Sequence, residues 1–137
     1  MELSFPAICE AVAQRRPNDT ALVFRDRSFT WQQVQDRTRR LAMVLLSAGL
    51  GPQGGNIGPD PVSALNPPES RVALYLLNGN EYLEGMLGSW KARCIPFNVN
   101  YRYVAAELRY LLEDSGAEAV IVADRFTSVL ADVIGTM

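Results

Sequence analysis

Val72-Ala73-Leu74-Tyr75-Leu76-Leu77 is a continuous apolar run, as expected of a strand covered on both faces. Two shorter runs follow it. Ile95-Pro96-Phe97-Asn98-Val99 reads as a second strand, with Pro96 tolerable near its start, and Ala119-Val120-Ile121-Val122-Ala123 as a third. Between them the apolar spacing changes to that of helices. Tyr82, Leu83, Met86, Leu87, Trp90 and Cys94 are expected on one side of a helix, with Asn78 and Glu81 placed for a capping box. Gly85 and Gly88 on that helix would permit close approach to a sheet. Val104, Leu108, Leu111 and Leu112 define another helix, ended by Gly116, and a last one is expected from about Asp124 to Ile134.

The amino-terminal half is patterned differently. A short amphipathic helix is expected from Ser4 to Arg16, with Ile8, Ala11 and Val12 on one face, Pro6 in its first turn and Pro17-Asn18-Asp19 ending it. Ala21 to Phe24 and Ser28 to Thr30 flank Asp26-Arg27 as a small hairpin whose turn lacks glycine. Thr30 and Gln33 form a second capping-box pattern. The helix behind it carries a stripe of Trp31, Val34, Leu41, Leu45 and Ala48, with Arg37, Arg39 and Arg40 on other faces and Gly49 closing it. From Gly51 to Ser70 glycine and proline dominate, which predicts a flexible surface insertion. Its Gly51 to Gly58 stretch is no phosphate loop, because it follows a helix and leads into more prolines.

Strands alternating with helices of this length imply parallel pairing and right-handed crossovers. The predicted fold class is α/β: parallel strands with helices on both faces, plus a small amino-terminal β-hairpin. At 137 residues the chain is one domain by size. A net charge of -2 gives no electrostatic reason to expect nucleic acid. Histidine is absent, and Lys91 is the only lysine beside a set of arginines. Those two facts remove most routes to general base catalysis, Schiff-base chemistry and metal binding. Cys9 and Cys94 lie in no metal spacing and read as reduced core thiols. No apolar run approaches a membrane span, and the start of the chain lacks the order of a signal peptide, so a cytoplasmic, soluble protein is expected.

Two stretches carry a resemblance. "NDTALVFRDRSFTWQQVQDRTRRLAMVLLSAGL" and "RVALYLLNGNEYLEGMLGSWKARCIPFNVNYRYVAAELRYLLEDSGAEAVIV" together resemble the start of the adenylate-forming superfamily, nearest to bacterial fatty-acyl-CoA synthetases. The match leaves out Gly51 to Ser70. The resemblance implies a truncated amino-terminal subdomain, residues 1–137, of an AMP-forming acyl-CoA synthetase (fatty-acid–CoA ligase). Such enzymes join a carboxylate to Mg-ATP as an acyl-adenylate, then transfer the acyl group to coenzyme A. Polyphosphate calls for a glycine-rich loop with a lysine, of the form Thr-Ser-Gly-Thr-Thr-Gly-x-Pro-Lys in the family, and magnesium for an oxygen ligand. Neither can be placed here, so no catalytic, cofactor or metal residue is assigned. ATP, Mg and CoA are expectations for the full-length enzyme. Its partners would be the remainder of the synthetase's amino-terminal domain and a fatty acid.

The most distinctive segment is the turn bearing Asn98, Asn100, Tyr101, Arg102 and Tyr103. It follows the carboxyl end of a predicted strand, where ligands of open α/β sheets bind. It could line a cavity or dock the next subdomain. A purely structural role has Asn98 and Asn100 bonding the turn backbone and Arg102 paired to a nearby acid. Trp31 and Trp90 are expected in the core or an interface, and Glu113-Asp114 at a solvated helix end. Apolar surface meant for a missing partner would favour self-association. Other readings are a self-contained binding or regulatory module, or a piece of another acyl- or aryl-adenylating enzyme. A dinucleotide-binding domain is weakened because Asn78-Gly79-Asn80, and no glycine fingerprint, follows Leu77.

Overall fold

The computed structural model describes residues 3–52 and 68–137. Most of the predicted 51–70 insertion lies outside the described residues. Its two ends are stitched together: the Ser70 amide donates to the Gly51 carbonyl (3.1 Å), the Gly51 amide to Ser70 Oγ (3.2 Å), and Pro52 bridges Glu69.

The elements run α1 (Phe5–Arg15), β1 (Thr20–Phe24), β2 (Arg27–Thr30), α2 (Trp31–Ser47), β3 (Arg71–Tyr75), α3 (Asn80–Lys91), β4 (Ile95–Asn98), α4 (Ala105–Ser115), β5 (Ala119–Val122), a 3-10 turn (Asp124–Phe126) and α5 (Thr127–Ile134). β3 sits in the middle of a parallel sheet ordered β4-β3-β5, with Val72 opposite Pro96 on one side and Ala119 on the other. The alternating side chains of β3 feed two cores. Val72 and Leu74 join Ala42, Leu45, Ala92 and Cys94 on the α2/α3 face, whereas Ala73 and Tyr75 join Leu108, Leu112, Leu130 and Val133 on the α4/α5 face. The predicted three layers are therefore present, and the fold is α/β.

β1 and β2 pair antiparallel around Arg25-Asp26. Without a glycine in the turn, Arg25 itself takes φ 56°. The Thr30 hydroxyl accepts from the Gln33 amide (3.2 Å) and the Gln33 side chain accepts from the Thr30 amide (2.8 Å), the predicted capping box of α2. Along α2 the buried stripe is Val34, Gln35, Thr38, Ala42 and Leu45. Ala48, expected in that stripe, is the C-cap residue and is exposed.

α3 departs most from its expected form. It begins at Asn80 after Gly79, with no side-chain cap, so Asn78 and Glu81 do not make a capping box. Glu81 instead accepts from Arg27 of the hairpin (3.3 and 3.4 Å). Its buried positions are Asn80, Glu84, Gly85, Leu87, Gly88 and Ser89, and Leu83 faces outward. Small residues let two layers close in. A Cβ at Gly85 would stand 3.1 Å from Leu74 of the sheet, but at Gly88 it would stand 2.6–3.0 Å from Leu41 of α2. Gly88 thus sets the distance between helices, and only Gly85 the approach to the sheet.

Alanine favours a helix over glycine by about 1 kcal/mol, yet overpacking a closed contact costs about 1–3 kcal/mol. Gly88→Ala is expected to destabilise the fold, and Gly85→Ala to be milder because its one tight contact is with the flexible end of Leu74. Urea unfolding of both variants checks the order; a Gly88→Ala chain as stable as the parent contradicts it.

Candidate functional site

Three strands end on the same side of the sheet, and their exits diverge. The chain leaves β3 for α3 on one face, while β4 and β5 lead to α4 and α5 on the other. Such a divergence opens a crevice at the carboxyl ends of the strands. Asn98 closes β4 and is exposed, and the Val99 amide donates to the Leu74 carbonyl (3.0 Å). Asn100 Oδ1 accepts from the Arg102 amide (3.0 Å), and the Asn100 carbonyl accepts from the Tyr103 amide (3.0 Å). The asparagine side chain is thereby committed to the turn.

Among the described residues no acid pairs with Arg102. Its guanidinium lies over the Tyr101 ring at 5.5 Å. Tyr101 stacks toward Phe126 of the 3-10 turn (6.4 Å), Phe126 stacks on Tyr75 of β3 (4.6 Å), and Arg125 covers Phe126 at 5.4 Å. The ends of all three strands are joined by this ladder of rings. Tyr101 and Arg102 are exposed, Tyr103 is half-buried against the α4/α5 core, and Tyr75 is buried. The sequence singled out Tyr101 and Arg102 without their partners. Phe126, placed directly behind the third apolar run, was the available signal.

A second polar layer lies between α2 and α3. Arg37 Nε and Nη2 donate to the two oxygens of Glu84 (2.7 and 3.0 Å), and Asn80 Nδ2 donates to Glu84 Oε1 (3.2 Å). Arg37 also lies over the Phe29 ring at 5.3 Å. The Glu84 hydrogen bond raises the Arg37 pKa above its ordinary value, so the ion pair stays charged. Lys91 is engaged as well: Nζ donates to Glu10 Oε1 (3.0 Å) and to Gln35 Oε1, and its side chain is only 7% exposed. Arg109 pairs with Glu113 along α4 (2.8 Å). Burial raises the pKa of both Cys9, half-buried, and Cys94, buried, which keeps them as thiols. No group of His, Cys, Asp and Glu suited to a metal ion stands together among the described residues.

A cavity of about 940 Å³ lies elsewhere, at the amino end of the sheet. Phe5 of α1, Met43 and Leu46 of α2, Trp90 of α3 and Ile95 of β4 line it, with Arg39 and Arg93 among its polar groups. Phe5 and Trp90 stack over it at 5.4 Å. Leu3, Phe5, Met43 and Leu46 are exposed in this region. Among the described residues no helix is long and apolar enough to cross a membrane.

Two substitutions separate the role of the carboxylate from that of its exposed partner. Glu84→Ala strands the buried Asn80 amide and is expected to cost about 2 kcal/mol, whereas Arg37→Ala, at a position 44% exposed, costs about 1 kcal/mol or less. Chemical denaturation ranks them, and equal losses would mean that the ion pair, and not the buried amide, carries the effect.

The Tyr75 hydroxyl gives a pH test. Burial raises its pKa above the ordinary 10.0, so the unfolded chain ionises first as pH rises. Stability is full below that value and falls above about pH 10. Tyr75→Phe is expected to flatten this alkaline loss in denaturation midpoints taken between about pH 9 and pH 11; an unchanged slope places the loss on other groups.

The chain matches the AMP-binding enzyme family over residues 9–56 and 66–135. It is 40% identical over 136 residues to a medium-chain acyl-CoA ligase, Mig, of Mycobacterium avium, covering 94% of this chain and 23% of that protein. It is 31% identical to a 3-oxocholest-4-en-26-oate–CoA ligase of Rhodococcus rhodochrous, covering 98% of this chain and 21% of that one. The chain thus spans about a quarter or less of the length of these relatives. In structure it superposes on a benzoate CoA ligase from Burkholderia xenovorans LB400 with a TM-score of 0.81 at 22% identity, over 99% of this chain and 24% of that one. It also superposes on the N-terminal domain of FACL13 from Mycobacterium tuberculosis with a TM-score of 0.75 at 24% identity, over 93% of this chain and 28% of that one. The resemblance to the amino-terminal part of AMP-forming acyl-CoA synthetases holds, and the chain belongs to the AMP-binding enzyme family.

Proposed function

We propose that these residues are scaffold of an ATP-dependent fatty-acyl-CoA synthetase and carry out neither half-reaction by themselves. The observation behind the reading is the 40% identity to a medium-chain acyl-CoA ligase across nearly this whole chain but only 23% of that protein. The chemistry of the described residues agrees. Adenylation needs a cation facing polyphosphate, and the single lysine of the chain is buried between Glu10 and Gln35. The described acids form no set that would hold magnesium. Fatty acid, ATP and CoA are then substrates of a longer enzyme, which the reading places in the cytoplasm. The relatives named for fatty or steroid side-chain acids favour an aliphatic carboxylate over an aromatic one.

In this reading the turn of Asn98, Asn100, Tyr101, Arg102 and Tyr103 docks the remainder of the amino-terminal domain. The exposed ring of Tyr101 and the guanidinium stacked on it present a flat, cationic face at the carboxyl end of the sheet. The cavity walled by Phe5, Met43, Leu46 and Trp90 favours a second reading, a module that binds a fatty acid without transforming it.

Pyrophosphate exchange into ATP, measured on the purified chain with decanoate and magnesium, is expected to equal the blank. Acyl-adenylate formed by protein free of contaminating ligase overturns the proposal. Decanoate bound at micromolar affinity without exchange favours the module.

A further inference from the structure

α3 ends in a turn that glycine ordinarily closes. The Cys94 amide donates to the Ser89 carbonyl (2.8 Å) and the Arg93 amide to the Trp90 carbonyl (3.0 Å), the paired bonds of a Schellman turn. Such a turn holds the residue after the cap in the left-handed region, and Arg93 stands there at φ 58°. A residue with a Cβ is strained at that angle, so arginine in place of glycine costs stability. Strain kept at one position points to a use for the side chain. Here that side chain lines the cavity of about 940 Å³, walled by α1, α2, the end of α3 and the start of β4.

The charges around the cavity do not cancel. Lys91 is bound to Glu10, which leaves Arg39 and Arg93 against Glu69. Both arginines are exposed, and among the described residues no acid pairs with either. One net positive charge beside an apolar wall suits a single anionic head. The wall itself is flat. Phe5 lies on Trp90 with ring centroids 5.4 Å apart and planes 17° from parallel, yet Phe5 remains 68% exposed. One side of its ring is taken by Trp90, and the remainder is open to a further ring. Met43, which also lines the cavity, has the soft thioether that packs well at ring edges.

We propose that this cavity binds a monoanion with a flat, fused-ring body. The ring system stacks on the Phe5–Trp90 pair, and Arg39 and Arg93 hold the anionic head. The proposal stands on the cavity alone and does not rest on the ligase reading.

The test compares naphthalene-2-sulfonate with its neutral sulfonamide and with octane-1-sulfonate, by calorimetry and by the NMR signal of the Trp90 indole. The naphthalene anion is expected to bind and to shift that signal, and each of the other two to bind about tenfold more weakly. Arg93→Gly is expected to unfold at no lower urea concentration than the parent, since it relieves the turn, and still to lose about tenfold in affinity. Arg39→Gln is expected to lose a similar factor, whereas Arg40→Gln, one residue along α2 and off the cavity wall, binds like the parent. No binding, a Trp90 signal that stays in place, a sulfonamide or an octyl chain bound as tightly as the naphthalene anion, full affinity in Arg93→Gly, or an equal loss in Arg40→Gln overturns the proposal.

Discussion

The burial of β3 is the constraint on which the other elements depend. Val72 to Tyr75 are 0–1% exposed, and their side chains alternate between two faces. A strand of this kind must have a helical layer on each side, because each face buries apolar groups that water would otherwise reach. Supplying those layers within one short chain takes α2 and α3 on one side and α4 and α5 on the other, joined by crossovers that keep the strands parallel.

The layer on the α2/α3 side is packed by unusual means. Gly88 brings α3 against Leu41, and the space so closed holds Glu84, Asn80 and Arg37 in one network, with Lys91 and Gln35 further along the same interface. Bulky residues would fill that space without satisfying the polar atoms. Small residues alone would leave a void. Glycine for approach and a paired carboxylate for polarity have to occur together, so the interface is specified by its hydrogen bonds as much as by apolar area.

That combination accounts for where sequence reading succeeds and where it does not. The three strands are legible because an apolar run bounded by turn residues fits a strand buried on both faces and little else. The α2 cap is legible because Thr30 and Gln33 act locally. The buried face of α3 is not, because its members Asn80, Glu84, Gly85 and Ser89 are polar or small, and the apolar residues at helical spacing include the exposed Leu83. Glu81 has the spacing of a local cap, yet a distant arginine, Arg27, takes its carboxylate. Arg37 has the pattern of a solvated position until α3 is laid against it. At the turn the asparagine geometry is readable, since Asn100 bonds its own neighbourhood, but the ring ladder needs Tyr75 and Phe126 brought from other strands.

The chain's chemical groups are also divided between opposite ends of the sheet. Crossover helices run against their strands, so α3 ends near the start of β4, and Lys91 with the large cavity lies there. Tyr101, Arg102, Arg125 and Phe126 stand at the other end, where parallel α/β sheets gather ligands. The carboxyl end of the sheet thus has arginines spread over aromatic rings but no lysine, and the end with the lysine has that amine closed by a carboxylate and an amide. Arginine over a ring is a stable planar surface well suited to contact, and it is a poor proton carrier because it does not give up its charge. A surface of that kind fits the support and docking of chemistry placed on other residues.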